Sequence, residues 1–137
     1  MSNRPTIMGT RHVIAAGHYL AAHAGFQILE AGGNAIDAGV ASGIAMGVLQ
    51  TDKVNFGGVA PLIVYLAKKK EIHCIDGLGV WPKSITPDFF QKFHGGKIPA
   101  SVLRSVVPAA PDSWITALAK WGTMRDRKST RLNSSHG

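Results

Sequence analysis

Glu30-Ala31-Gly32-Gly33-Asn34-Ala35-Ile36-Asp37-Ala38 is the stretch on which the fold turns. Two adjacent glycines suit the end of a helix, because a left-handed C-terminal cap carries no Cβ penalty at glycine. Asn34 follows, and an asparagine side chain accepts from the first free amides of a new helix. One helix is therefore expected to stop at Gly32-Gly33 and a second to start at Asn34. Upstream, Tyr19, Ala22, Phe26 and Leu29 recur at three and four residues, one face of a helix. Before them, 11–16 reads as a short buried strand. Downstream, the second helix runs over 35–49 with two stripes. Ala35, Gly39, Gly43 and Gly47 form one, and Ile36, Val40, Ile44 and Val48 the other. Interior glycine costs up to ~1 kcal/mol against alanine, so another backbone is expected to lie directly on the small stripe.

Further outward, 50–60 reads as a loop. The runs 61–67 and 71–76 read as a hairpin around Lys68-Lys69-Lys70. The first run is nearly all apolar, which predicts a strand covered on both faces. Thr86-Pro87-Asp88 is a helix start, with Thr as N-cap and Pro at the first position, and a short helix is expected over 89–93. Val102 to Val107 is a possible strand. Pro111-Asp112 opens a last helix over 113–120, with Trp114, Ala117 and Leu118 inward. The order of elements predicts a layered α/β (α+β) arrangement with an antiparallel component.

The chain has 137 residues, of which 45% are hydrophobic and 17% charged. That composition excludes a disordered chain and supports a core. A lone cysteine, Cys74, excludes a disulfide framework and a Cys-rich zinc site. No run reaches the roughly 20 apolar residues of a membrane helix, and no signal peptide is read, so a cytoplasmic location is expected. Of the net charge of +7, Arg125, Arg127, Lys128 and Arg131 against Asp126 contribute +3. The remainder is scattered, which argues against nucleic acid as a partner. Residues 126–136 are polar and aperiodic, and they resemble the conceptual translation of a sequencing adapter. The expected organisation is one partial domain over 1–124 and a disordered, artefactual tail over 125–137, on a truncated reading frame.

Catalytic signatures fail by inspection. Gly96-Lys97 is followed by Ile98, so there is no phosphate loop, and Gly77-Leu78-Gly79 lacks the third glycine of a dinucleotide fingerprint. His18 and His23 lie about 140° apart around a helix. Together with His94 they read as structural or exposed side chains, so no metal is expected. Cys74 reads as a buried, inert thiol, and Asp76 either caps a turn or lines a site.

One family matches these features in order. His18 to Val48, above all Gly32-Gly33-Asn34-Ala35-Ile36-Asp37-Ala38, closely resembles the N-terminal part of γ-glutamyltransferases. Phe56-Gly57-Gly58, Val64-Tyr65, Ile75-Asp76, Val107-Pro108 and Trp121-Gly122-Thr123-Met124 follow in the family's sequence. The resemblance covers about 8–124. It implies an N-terminal fragment of an αββα N-terminal-nucleophile hydrolase, the start of a large subunit. In such enzymes a threonine freed by self-cleavage is nucleophile and, through its amine, its own base. The resemblance places that threonine downstream, so no catalytic residue is expected in this chain, and the fragment alone is expected to be inactive. No cofactor is implied. The implied partners are the rest of the large subunit, the small subunit and a small-molecule amide; no nucleic acid and no membrane are expected.

Substrate-pocket candidates are Asp76, Leu78 and Trp81. The family resemblance implies an arginine two residues after Asp76, where it grips a substrate carboxylate; a bidentate clamp needs a guanidinium. Leu78 stands there. Glutathione metabolism is the family's usual setting, and loss of the clamp points to a relative acting on a non-glutamyl amide, such as an oxamate-type amide. Arg104 is a candidate to take over carboxylate binding. The competing reading is a small non-enzymatic module that holds an anion at 55–58 or at a helix N-terminus.

Overall fold

A computed structural model describes residues 6–124 of the chain. The tail over 125–137 lies outside the described residues. These fall into two compact units, one built on the residues up to Lys53 with those from Leu118 onward, the other on Val54–Ala117.

The first unit holds α1 (Tyr19–Glu30) and α2 (Ala35–Leu49). His18 caps α1, its Nδ1 accepting from Leu20 N at 3.2 Å. Gly32 takes a φ of +89°. Its amide donates to Leu29 O at 3.1 Å, and that of Gly33 to Ile28 O at 2.9 Å. This paired bonding satisfies carbonyls that the helix end would otherwise leave bare. Asn34 Oδ1 then accepts from Ile36 N at 2.9 Å and Asp37 N at 3.0 Å, while Asp37 returns a bond to Asn34 N at 2.9 Å. The corner is thus a Schellman cap joined directly to a capping box.

Close packing of the two helices uses a different row from the one expected. Ala21 of α1 and Ala38 and Ser42 of α2 are buried, and Ser42 Oγ donates to Ala21 O at 2.9 Å. A Cβ at Gly25 would collide with Ile14 and Ser42 and lie 2.8 Å from Ala38 O. Beside Gly39 nothing lies within 4 Å. The smallest residue at the contact comes from α1, so α2 needs only Ala38 and Ser42 opposite it. The glycine stripe of α2 sits about 100° round its axis.

Nor is 11–16 a strand. A strand needs a ladder partner, and among the described residues the one ladder joins β1 and β2. Side chains fasten this segment to α1 instead. Arg11 Nη2 lies 2.8 Å and His12 Nε2 3.0 Å from Glu30 Oε1, and the His12 ring meets Phe26 edge-on at 5.3 Å.

In the second unit β1 (Leu62–Leu66) and β2 (Glu71–Ile75) pair antiparallel, Leu62 opposite Ile75 and Leu66 opposite Glu71. The lysine turn closes with Lys70 at a φ of 56°. Only one face of this hairpin is half-buried. Ile63, Tyr65 and Ile72 are exposed, because the described sheet has two strands and no layer over that side. Cys74 pairs with Ile63, so it shares the open face and is exposed rather than buried.

Thr86 Oγ1 accepts from Phe89 N at 3.2 Å to start α3 (Pro87–His94), and Gly95 ends it at a φ of 57°. His94 is the last residue of that helix, its ring beside Phe89 and Phe90. The expected strand over 102–107 is absent. Ser101 Oγ accepts from Leu103 N at 3.3 Å and Ser101 O from Arg104 N at 3.0 Å, which winds Val102–Arg104 into a 3-10 turn. Such serine bonds compete directly with strand pairing. α4 (Ala110–Trp121) begins three residues earlier than expected. Ala110, Ser113, Trp114 and Ala117 form its buried face; Leu118, at 36% exposure, lies outside it. No helix among the described residues is long and apolar enough to cross a membrane.

Candidate functional site

The segment that leaves β2 is Asp76-Gly77-Leu78-Gly79-Val80-Trp81. Both glycines are left-handed, with φ of +59° and +80°. Ala60 N donates to Gly77 O at 2.9 Å, and Val107 N to Val80 O at 2.9 Å. A Cβ at residue 77 would collide with Ala60 O, and one at 79 with Val107 O. The segment is threaded between two other backbones, so only glycine fits at either position.

Three sequence candidates lie on this segment, and two of them, Asp76 and Trp81, line different hollows. Leu78, between the locked glycines, is 49% exposed. Asp76 lines a groove of about 400 Å3 with Gly77, Gly79, Asp112 and Ser113. Trp81 lines a different, mostly apolar cleft of about 300 Å3 with Ile85, Val102 and Leu103. Val107 borders both. The Trp81 ring packs on Phe90 at 5.4 Å, and its buried Nε1 has no acceptor among the described residues. Arg104 turns onto its own loop, with Nε donating to Pro99 O at 3.1 Å.

Asp112 and Ser113 share the groove with Asp76. Asp112 lies in the first turn of α4, and nothing in a spacing of 36 residues joins it to Asp76. The loop 55–58 has a structural task. Gly58 O accepts from Ala109 N and Ala110 N at 3.2 Å each, which ties it to the start of α4. Among the described residues no three His, Cys, Asp or Glu side chains converge to hold a metal ion.

The Gly-Gly-Asn-Ala-x-Asp-Ala motif also serves structure. Asn34 Nδ2 donates to Trp121 O at 2.6 Å. Asp37, 5% exposed, accepts from Thr123 Oγ1 at 2.7 Å, Thr123 N at 3.0 Å and Met124 N at 3.3 Å. Burial pushes the Asp37 carboxyl up, but hydrogen bonds from Asn34, Thr123 and Met124 outweigh it and hold the group below its ordinary 3.8. The motif's two polar side chains fix the chain beyond α4 onto the start of α2.

Residues 21–129 match the family model described as gamma-glutamyltranspeptidase. The chain is 36% identical over 121 residues to a glutathione hydrolase proenzyme of Bacillus subtilis subsp. natto, covering 85% of this chain and 21% of that protein. It is 35% identical over 126 residues to an acylase ACY 1 proenzyme of Pseudomonas sp. (strain V22), covering 85% and 22%. The crystal structure of Helicobacter pylori gamma-glutamyltranspeptidase superposes with a TM-score of 0.77 at 29% identity, over 88% of this chain and 36% of that one. The chain belongs to the gamma-glutamyltranspeptidase family. Its fold is a mixed α/β fragment of that N-terminal-nucleophile hydrolase architecture, and it spans about a fifth of the length of the curated relatives it matches.

Proposed function

We propose that this chain is the opening part of the large subunit of an amide hydrolase or acyltransferase whose substrate is not held as a γ-glutamyl group. The observation that carries the reading is Leu78, half-exposed between two locked glycines, where the family resemblance implies a guanidinium. An apolar side chain there offers no bidentate grip on a carboxylate. Overall similarity leaves the substrate open, because a glutathione hydrolase and an acylase match at 36% and 35% identity.

In this reading the nucleophilic threonine lies on the enzyme's own chain downstream of Met124, and the remainder of the large subunit and the small subunit are the partners. The 137-residue chain alone is inactive. The working location is the cytoplasm, and the tail over 125–137 is not part of the enzyme.

The test begins with a long sequencing read past the codon for Met124. A frame continuing to a small-subunit-like region that starts with threonine supports the reading; a frame ending at Gly137 overturns it. The complete enzyme is then assayed on a γ-glutamyl anilide and on a short acyl anilide. Preference for the acyl anilide is expected, and robust γ-glutamyl turnover would refute the substrate assignment.

A further inference from the structure

The two helices of the corner start on caps of different chemistry. At α2 the cap is the Asn34 amide backed by Asp37, whose carboxyl titrates below 3.8. At α1 it is an imidazole. His18 sits in extended backbone with a φ of −129° and turns Nδ1 onto the amide of Leu20 at 3.2 Å. Its carbonyl takes the first helical bond, from Ala22 N at 3.1 Å. An imidazole nitrogen accepts only when it carries no proton. The bond therefore requires the neutral ring with its proton on Nε2. A second proton would set an N–H at Nδ1 against the N–H of Leu20, and the bond would be lost. The cation would then stand at the positive end of α1, whose first turn holds no acidic residue.

From this geometry we infer that His18 is a pH-gated cap: neutral, it closes the first turn of α1, and protonated, it opens that turn. Histidine is the side chain that changes charge between about pH 5 and 8, a range over which the cap of α2 is constant. The surroundings do not cancel the added charge. Among the described residues His18 forms no ion pair. The end of α2 comes close, since a Cβ at Gly17 would lie 3.0 Å from both Gln50 Oε1 and Met46 Cε. The charged groups just beyond it, Asp52 and Lys53, pair with each other at 3.7 Å. On the preceding segment, Arg11 and His12 both lie against Glu30. His23 is about 140° away round α1. One neighbour favours the cation: the Tyr19 ring stacks on His18 at 4.7 Å. Tyr19 is 74% exposed, and a cation on so exposed a ring gains no more than a typical cap is worth. The charge at the helix end is then left uncompensated. His12, at the far end of α1, responds in the opposite sense, because a protonated ring still donates to Glu30. Opening is therefore confined to the start of α1. The inference concerns this chain's own fold and holds whichever amide the parent enzyme takes.

The experiment follows the full chain by NMR from about pH 8 to about pH 5. Ring nitrogen shifts at the upper end should show His18 unprotonated at Nδ1. The Leu20 and Ala22 amides should move with the His18 ring in one shared titration step. The closed-to-open ratio of the first turn, from hydrogen exchange corrected for intrinsic rates, should fall about fivefold, the worth of one N-cap. His18→Asn keeps a cap that does not titrate and should hold both amides still over the range. His18→Ala should leave the turn open at both ends of it. A ring protonated at Nδ1 at the upper end overturns the inference. So does a Leu20 amide that stays fixed while the His18 ring titrates, or one whose step survives in His18→Asn. The ring and amide readings use the unaltered protein, so they decide the matter even where a variant fails to fold.

Discussion

The helical corner and the β-hairpin are both short antiparallel units, yet their chemistry is closed to different degrees. At the corner, the capping amides and carbonyls of Ile28 to Asp37 find partners within a few residues, and Asp37 gathers donors from far along the chain. In the hairpin the backbone pairs across one ladder only, and Ile63, Tyr65 and Ile72 face outward. Two strands are marginal alone, because a single hairpin buries too little apolar surface. The corner is built by polar satisfaction and small-residue packing, whereas the hairpin depends on apolar cover that the described residues supply on one side. The difference teaches where a signature motif acts: the residues most diagnostic of this family stabilise an intersection of chain segments.

Asp37→Ala should break that contrast most strongly. It removes the buried carboxylate that accepts from the amides of Asn34, Thr123 and Met124, and with hydrogen bonds to a charged group contributing about 1.5–3 kcal/mol, a loss of about 3 kcal/mol is expected from the urea midpoint. The glycines come next, with opposite signs. Gly25→Ala should destabilise by about 1–3 kcal/mol through overpacking, whereas Gly39→Ala, in open space, should stabilise by up to about 1 kcal/mol. Equal effects at both positions would show that the glycine stripe of α2 is covered after all.

Acid should then loosen the corner in a graded way. The folded Asp37 carboxyl titrates below its ordinary 3.8, so its contribution is fully present above that value. The contribution declines as pH falls through the lowered folded pKa. Unfolding midpoints measured down an acid series should show this loss, and Asp37→Asn should remove its share of the slope. The smallest effect belongs to the hairpin. Ile72→Thr keeps a β-branched residue on the open face and should change stability by no more than about 0.5 kcal/mol. A larger loss in the complete enzyme than in the isolated chain would measure how much that face gains from cover.

Local chemistry made much of this legible in the sequence. Gly32-Gly33-Asn34 set the corner through φ and capping, and Thr86-Pro87 set the start of α3, because each acts within four residues. The hairpin was legible for the same reason, with its turn on the lysines. What failed was long-range. Reading 11–16 as a strand required a partner, and the tie through Glu30 is a side-chain event. Serine bonds at Ser101 overrode the apolar run of 102–107. At the groove, Asp76 was legible as a strand-end carboxylate. Its companions Asp112 and Ser113 were not, since only the fold brings the start of α4 to Gly77. Leu78 is a pocket candidate through the family pattern; Trp81, which lines the apolar cleft, has no such signal in the sequence.

The bond from Thr123 to Asp37 spans 86 residues. A ribosome adds about 5–20 residues per second, so roughly 4 to 17 seconds pass between the synthesis of the acceptor and that of its donor. The local bonds of the corner need no residue beyond 49, so through that interval the pair lacks only the contacts that Trp121, Thr123 and Met124 bring. That late contact joins the beginning of α2 to chain made long afterward, so a nascent chain halted before Thr123 would hold both helices and lack the latch.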